Sequence, residues 1–171
     1  ERELIMKILA RYSGKYTVLR ELIQNSDDSN STFFKINLYP EKHEIHIIND
    51  GFVFRDIDWT RICTIASGNP EENKIGCFGV GFYSVFSISE FPTIISGSKM
   101  LQFRFKNMSL KTQLINSENY NENTIFIFEN VNNDIFEDWL NSLNIKNFLN
   151  NSLLFTKVIN KIYFNNEVYI K

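Results

Sequence analysis

The stretch Gly76-Cys77-Phe78-Gly79-Val80-Gly81-Phe82-Tyr83-Ser84-Val85-Phe86 constrains this chain more than any other, because three glycines spaced GxxGxG lead into an apolar run with no breaker before Glu90. Glycine permits positive φ and lets a ligand come close to the backbone. A helix that starts directly after such a turn offers unpaired N–H groups and the positive end of its dipole to an anion. The pattern therefore predicts a turn entering a helix that runs to Ser89, with the capacity to hold phosphate. It is not the GxGxxG of a dinucleotide-binding turn, and no Lys-Ser/Thr pair follows as a Walker phosphate loop requires. A tight turn with no ligand satisfies the same spacing.

A second constellation lies upstream, in Leu19-Arg20-Glu21-Leu22-Ile23-Gln24-Asn25-Ser26-Asp27-Asp28. Val18, Leu19, Leu22 and Ile23 fall on one side of a helix, and Glu21, Asn25 and Asp28, at i, i+4 and i+7, form a narrow stripe on the other. Arg20, Gln24 and Asp27 widen that polar side, so a solvated helix face is one reading of it. The functional reading rests on residue type. The carbonyl oxygen of Asn25 suits a hard cation such as Mg²⁺, which keeps several waters and binds through few protein ligands plus phosphate oxygens. Glu21, one turn away, is placed to orient or deprotonate an attacking water.

Three stretches, in order, carry a family resemblance. Tyr12-Ser13-Gly14-Lys15 followed by LRELIQNSDDS resembles the first nucleotide-binding helix of the ninety-kilodalton heat-shock chaperones, Cys63-Thr64-Ile65-Ala66-Ser67-Gly68 resembles the start of their ATP lid, and Lys74-Ile75 followed by GCFGVGFYS resembles their glycine-rich box. The chain is identified on these grounds as a member of the GHKL, or Bergerat-fold, ATPase superfamily; within it, NDGFVFRDIDW and the short lid resemble sacsin-like proteins more than the chaperone itself. The resemblance implies ATP and Mg²⁺ as cofactors, Glu21 as general base with Arg20 as its orienting cation, Asn25 as the Mg²⁺ ligand and Asp28 as a polar group at the nucleotide edge. It further implies phosphate contacts from Gly76 and the backbone of Phe78, Gly79, Val80, Gly81 and Phe82, and an adenine contact from Thr124, which opens the family's Gly-Thr-x-Ile strand here spelled Asn123-Thr124-Ile125-Phe126-Ile127.

The chain departs from that family at the base. The family places an aspartate two residues before a glycine, in DxGxG, to accept the adenine amino proton; anchored on Gly51, that position is Asn49, with Asp50 one residue late and Val53 in place of the second glycine. An asparagine still accepts through its carbonyl oxygen but loses the charge assistance that strengthens such a bond. Asn49-Asp50-Gly51 also reads as a plain turn after a strand. Phe54 is expected near the base, where the family has a methionine. The lid is short, only Asn69 to Lys74 separating Gly68 from the glycine box, so exchange of lids between protomers is not expected; Lys74 is a candidate phosphate contact or a solvated loop lysine.

At 171 residues, with 43% hydrophobic and 15% aromatic residues and sixteen phenylalanines, the chain suits one globular nucleotide-binding domain over 1–171. Starting at Glu1 in mid-helix by its pattern, it reads as a piece of a longer protein. A net charge of −2 gives no broad attraction to nucleic acid. Cys63 and Cys77 are too few for a disulfide framework or zinc site and read as small buried thiols; His43 and His46 have no partner at metal-ligand spacing. Neither a secretory leader nor a membrane-spanning run is legible, and a cytoplasmic or nuclear setting is expected.

Periodicity predicts helices over Glu1–Tyr12, Thr17–Ser26, Asp56–Ala66 with Asp56 as cap, and Asn133–Asn150. Strands are expected over Thr32–Tyr39, Glu44–Ile48, Thr93–Ser96, Leu101–Lys106 and Thr124–Glu129, with a closing hairpin of Lys161–Phe164 and Glu167–Ile170 around Asn165-Asn166; the asparagine-rich Asn116–Asn123 reads as a connection. The expected architecture is a two-layer α/β sandwich with a mostly antiparallel sheet and helices on one face. Three functions are compatible: an ATP-binding, slowly hydrolysing domain that drives shape change in a larger chaperone-like protein; a nucleotide-sensing or nucleotide-free interaction module; and, least favoured, a histidine kinase. The partners implied are ATP or ADP, other domains of a longer chain, and client proteins, with neither nucleic acid nor membrane.

Overall fold

The structure, a computed structural model, describes Gly14 and residues 16–66, 80–106, 109–141 and 143–171. The helix expected over Glu1–Tyr12 and the lid Asn69–Lys74 lie outside the described residues.

Helix α1 (Thr17–Asp28) forms where the apolar stripe predicts it, burying Val18, Leu19, Leu22 and Ile23. Asn30 adopts left-handed φ of 62°, its N–H donating to Asp27 O while the Ser31 N–H donates to Ser26 O, the paired bonds of a Schellman ending. Strands β1 (Phe33–Tyr39) and β2 (Glu44–Asn49) follow as an antiparallel hairpin turned through a 3₁₀ segment, Pro40–Lys42, and left-handed His43. Helix α2 (Asp56–Ala66) has Asp58 as its capping carboxylate, correcting Asp56: Asp58 accepts from the Arg55 N–H at 3.0 Å, while Asp56 pairs with Lys99 at 2.6 Å.

The segment after the glycine run, Val80–Ser87, is a 3₁₀ helix, where an α-helix to Ser89 was expected. Phe82, Tyr83, Ser84, Val85 and Phe86 are all buried, so packing on every side, not an amphipathic period, sets its winding. Two long strands follow, β3 (Phe91–Lys106) and β4 (Ser109–Glu129). The gap between the strands expected over Thr93–Ser96 and Leu101–Lys106 is closed: Gly97 is a bulge at φ 58° within one strand, and the asparagine-rich stretch opposite it belongs to β4. The single helix expected over Asn133–Asn150 is two, α3 (Asn133–Asn141) and α4 (Leu143–Ser152). Strands β5 (Lys161–Phe164) and β6 (Glu167–Ile170) close the chain, with Asn165 at φ 51° in their turn.

All six strands form one sheet in the order β3-β4-β2-β1-β5-β6. The sheet is mixed, correcting the mostly antiparallel one expected: β5 runs parallel beside β1, the other neighbours antiparallel. The parallel pair arises because β5 returns to β1 only after the long excursion through β4 and the helices, a crossover that no tight turn makes. Burial alternates along β1 and β2, so one sheet face is closed, by Phe34, Ile36, Leu38, Ile45 and Ile47 with Phe126, Phe128 and Ile162. Among the described residues no helix is long and apolar enough to cross a membrane.

Candidate functional site

The two stretches that opened the sequence analysis meet. A Cβ added at Gly81 would lie 2.1 Å from Glu21 Oε2 and 2.6 Å from its Cδ, closer than real contacts allow, so the Glu21 carboxylate rests over the glycine where any side chain would stand. Glu21 is half-buried and, among the described residues, makes no hydrogen bond or ion pair. One turn on, Asn25 is 8% exposed and its side-chain amide likewise has no hydrogen-bond partner among the described residues. The amide atoms themselves are not closed off from solvent, so they can be reached from outside.

The loop after β2 closes on the other end of α1. Phe52 donates its N–H to Ser29 O at 2.8 Å, and a Cβ at Gly51 would lie 2.9 Å from that same carbonyl oxygen. Only glycine allows this approach. Along the helix, Ser29 stands roughly 12 Å from Glu21 at 1.5 Å per residue, so α1 forms one wall against which both the glycine-led turn and the β2 loop are held.

Above that loop the closed face of the sheet changes character. Asn49 continues the row of Ile45 and Ile47, and Thr124 continues Phe126 and Phe128; the two face each other in register, 3% and 2% exposed. Thr124 Oγ1 lies 2.7 Å from Ser96 Oγ on β3, which accepts the Phe54 N–H at 2.9 Å. Ser96 is a member of this polar rung that sequence reasoning missed; its one signal was its place beside the bulge-forming Gly97. Phe54 itself packs against Trp59, ring centroids 4.9 Å apart.

The remaining candidates are placed elsewhere. Asp50 is taken up by structure: its carboxylate accepts from Ser31 Oγ, from Thr32 N and Oγ1, and from Phe33 N. Burial pushes the Asp50 carboxyl up, but those bonds together outweigh it and hold it below the usual carboxylate range. Arg20 and Asp28 line a cleft of 470 Å³ with Phe148, Asn151, Phe155 and Lys157, a cleft that neither Glu21 nor Asn25 lines. Phe82 is a core residue, packed on Phe103 and Phe126; Val80 opens the 3₁₀ turn. Lys74, Gly76, Phe78 and Gly79, with Cys77, lie outside the described residues. Cys63 is only partly buried, and burial raises its thiol pKa. His43 stacks on Phe136 and His46 accompanies Glu44 and Tyr39.

Fold and geometry together define an α/β domain on a mixed six-stranded sheet, with Glu21 and Asn25 on one face of α1 and Asn49 and Thr124 at one end of the closed sheet face. The chain belongs to the Sacsin domain family, whose model matches residues 2–148. It is similar to sacsin of Homo sapiens, 32% identical over an alignment 117 residues long, with 57% of this chain and 2% of that protein covered. The match thus spans a small fraction of the relative's length.

Proposed function

We propose that this domain binds ATP with Mg²⁺ and hydrolyses it slowly, coupling the nucleotide state to shape change in a longer chaperone-like protein of the Bergerat-fold type. The observation that carries the reading is the seat of Glu21 over Gly81. It sets a carboxylate with no other partner beside the backbone of the turn that the sequence marks for phosphate. Asn25 fits a single neutral ligand to a hard cation, being buried and otherwise unpartnered. Mg²⁺ would supply neutralisation of phosphate charge.

In this reading Glu21 accepts a proton from the attacking water, and the amides at Gly81 and Phe82 orient the phosphates. The described residues bring no arginine to Glu21, since Arg20 turns to the cleft. Turnover by the domain alone is accordingly expected to be slow, with a cation from a neighbouring domain raising it. Calorimetric titration with ATP and Mg²⁺, followed by phosphate-release assays on the unchanged protein and Glu21→Ala, tests the proposal. Binding with release that disappears in the variant supports it; release that persists removes Glu21 from the mechanism.

A second reading, a nucleotide-sensing module without turnover, is favoured by one observation: Asn49 stands where the resembled family has a carboxylate. Tight binding without phosphate release would select it. ATP or ADP, further domains of a longer chain and client proteins are the partners proposed.

A further inference from the structure

Asn49 is almost wholly buried, and its Oδ1 accepts the Gly51 N–H at 3.1 Å. A backbone N–H only donates, so this bond fixes the orientation of the amide: the oxygen turns back into the Asn49–Gly51 turn and the Nδ2 group points away from it. Among the described residues Nδ2 has no acceptor. Its register partner Thr124 is instead bonded to Ser96. Although the residue as a whole is 3% exposed, Nδ2 is not closed off from solvent, so its protons can be reached by a bound acceptor.

We propose, resting on the nucleotide reading above, that Asn49 opens the base end of the site to purines with an oxygen at position 6, so that 6-oxopurine nucleotides such as GTP and ITP bind at least as tightly as ATP. A carboxylate at this position is acceptor only; it suits a 6-amino group and repels a 6-oxygen. The amide presents its donor. Those protons match a 6-oxygen and oppose the protons of an amino group, for which only the second lone pair of Oδ1 is left.

Calorimetric titration of the full chain with the Mg²⁺ complexes of ATP, GTP and ITP tests this, ITP separating position 6 from the 2-amino group of GTP. GTP and ITP are expected to equal or exceed ATP in affinity. Asn49→Asp keeps an acceptor for the Gly51 N–H and removes the donor, and it is expected to move the GTP-to-ATP ratio toward ATP by about tenfold to a hundredfold. ATP binding more tightly than both others in the unchanged protein, or a folded Asn49→Asp with an unaltered ratio, overturns the inference and leaves the nucleotide reading standing. No binding of any of the three overturns both. Should circular dichroism show the variant unfolded, the ratio in the unchanged protein still decides.

Discussion

Asp27 and Glu21 stand on the same helix, are both acidic, and have opposite surroundings. Asp27 is buried, and its carboxylate accepts three backbone N–H groups, from Lys157 at 2.8 Å, Val158 at 2.8 Å and Ile159 at 2.9 Å, tying α1 to the segment that leads into β5. Glu21 rests against a glycine and bonds to nothing described. The contrast separates two uses of a polar side chain. A carboxylate saturated by backbone donors holds the fold, and one left without partners in a half-buried position is available for chemistry.

The largest effect that could break this contrast is at Asp27. Replacing it by Ala leaves three N–H groups without their acceptor, and a loss of about 3 kcal/mol is expected. Urea denaturation measures it, and a loss indistinguishable from that of an exposed residue would refute the clasp. Asp50→Ala is expected to cost less, about 2 kcal/mol, because two of its four donors are hydroxyls free to rotate toward water.

The two clasps also give a pH signature. Burial pushes the Asp27 carboxyl up, but its three backbone bonds outweigh burial and lower it, as the bonds to Asp50 lower that one. Folded values below unfolded ones mean that the stabilisation is complete above the ordinary carboxylate range and is lost as pH falls through the lowered folded values. Thermal midpoints taken from neutral to acidic pH should therefore fall more steeply for the unchanged protein than for Asp27→Asn; parallel slopes would contradict the assignment.

How far this contrast was legible in the sequence depends on the range of the interactions. The helix Thr17–Ser26 and the strands around Glu44–Ile48 were readable because local period decides them, and the structure extends each by no more than two residues. Asp27 was read as one more surface charge, since its partners lie about 130 residues away in sequence, as no local pattern reports. Asp50 was a candidate for the base until Ser31, Thr32 and Phe33 proved to hold it. The strands expected over Thr93–Ser96 and Leu101–Lys106 are one, because a bulge such as that at Gly97 and a break look alike until the partner strand is known. The meeting of Glu21 with Gly81 was expected only through the resemblance. Periodicity placed each on its own segment and said nothing of their distance.

A smaller effect sharpens the contrast at Gly81. Alanine there collides with the far end of a flexible side chain, so the protein should fold with Glu21 displaced, at a cost of about 1 kcal/mol. In a Glu21→Ala background the collision has no object and the cost should largely vanish. A double-mutant cycle read by denaturant midpoints isolates this coupling. Strict additivity would mean that Gly81 does not seat the carboxylate, whatever nucleotide assays show.

The smallest expected effect falls on Glu21 itself. Glu21→Gln keeps the shape of the side chain and removes its charge; with no hydrogen bond or ion pair to lose among the described residues, stability should stay within about 0.5 kcal/mol. Phosphate release should nevertheless fall steeply, because an amide cannot take a proton from water. A residue whose charge contributes nothing to folding yet governs turnover is what the contrast with Asp27 requires. If denaturation instead shows Glu21→Gln to be as damaging as Asp27→Ala, the carboxylate is a structural member of α1, and the division between the two acids disappears.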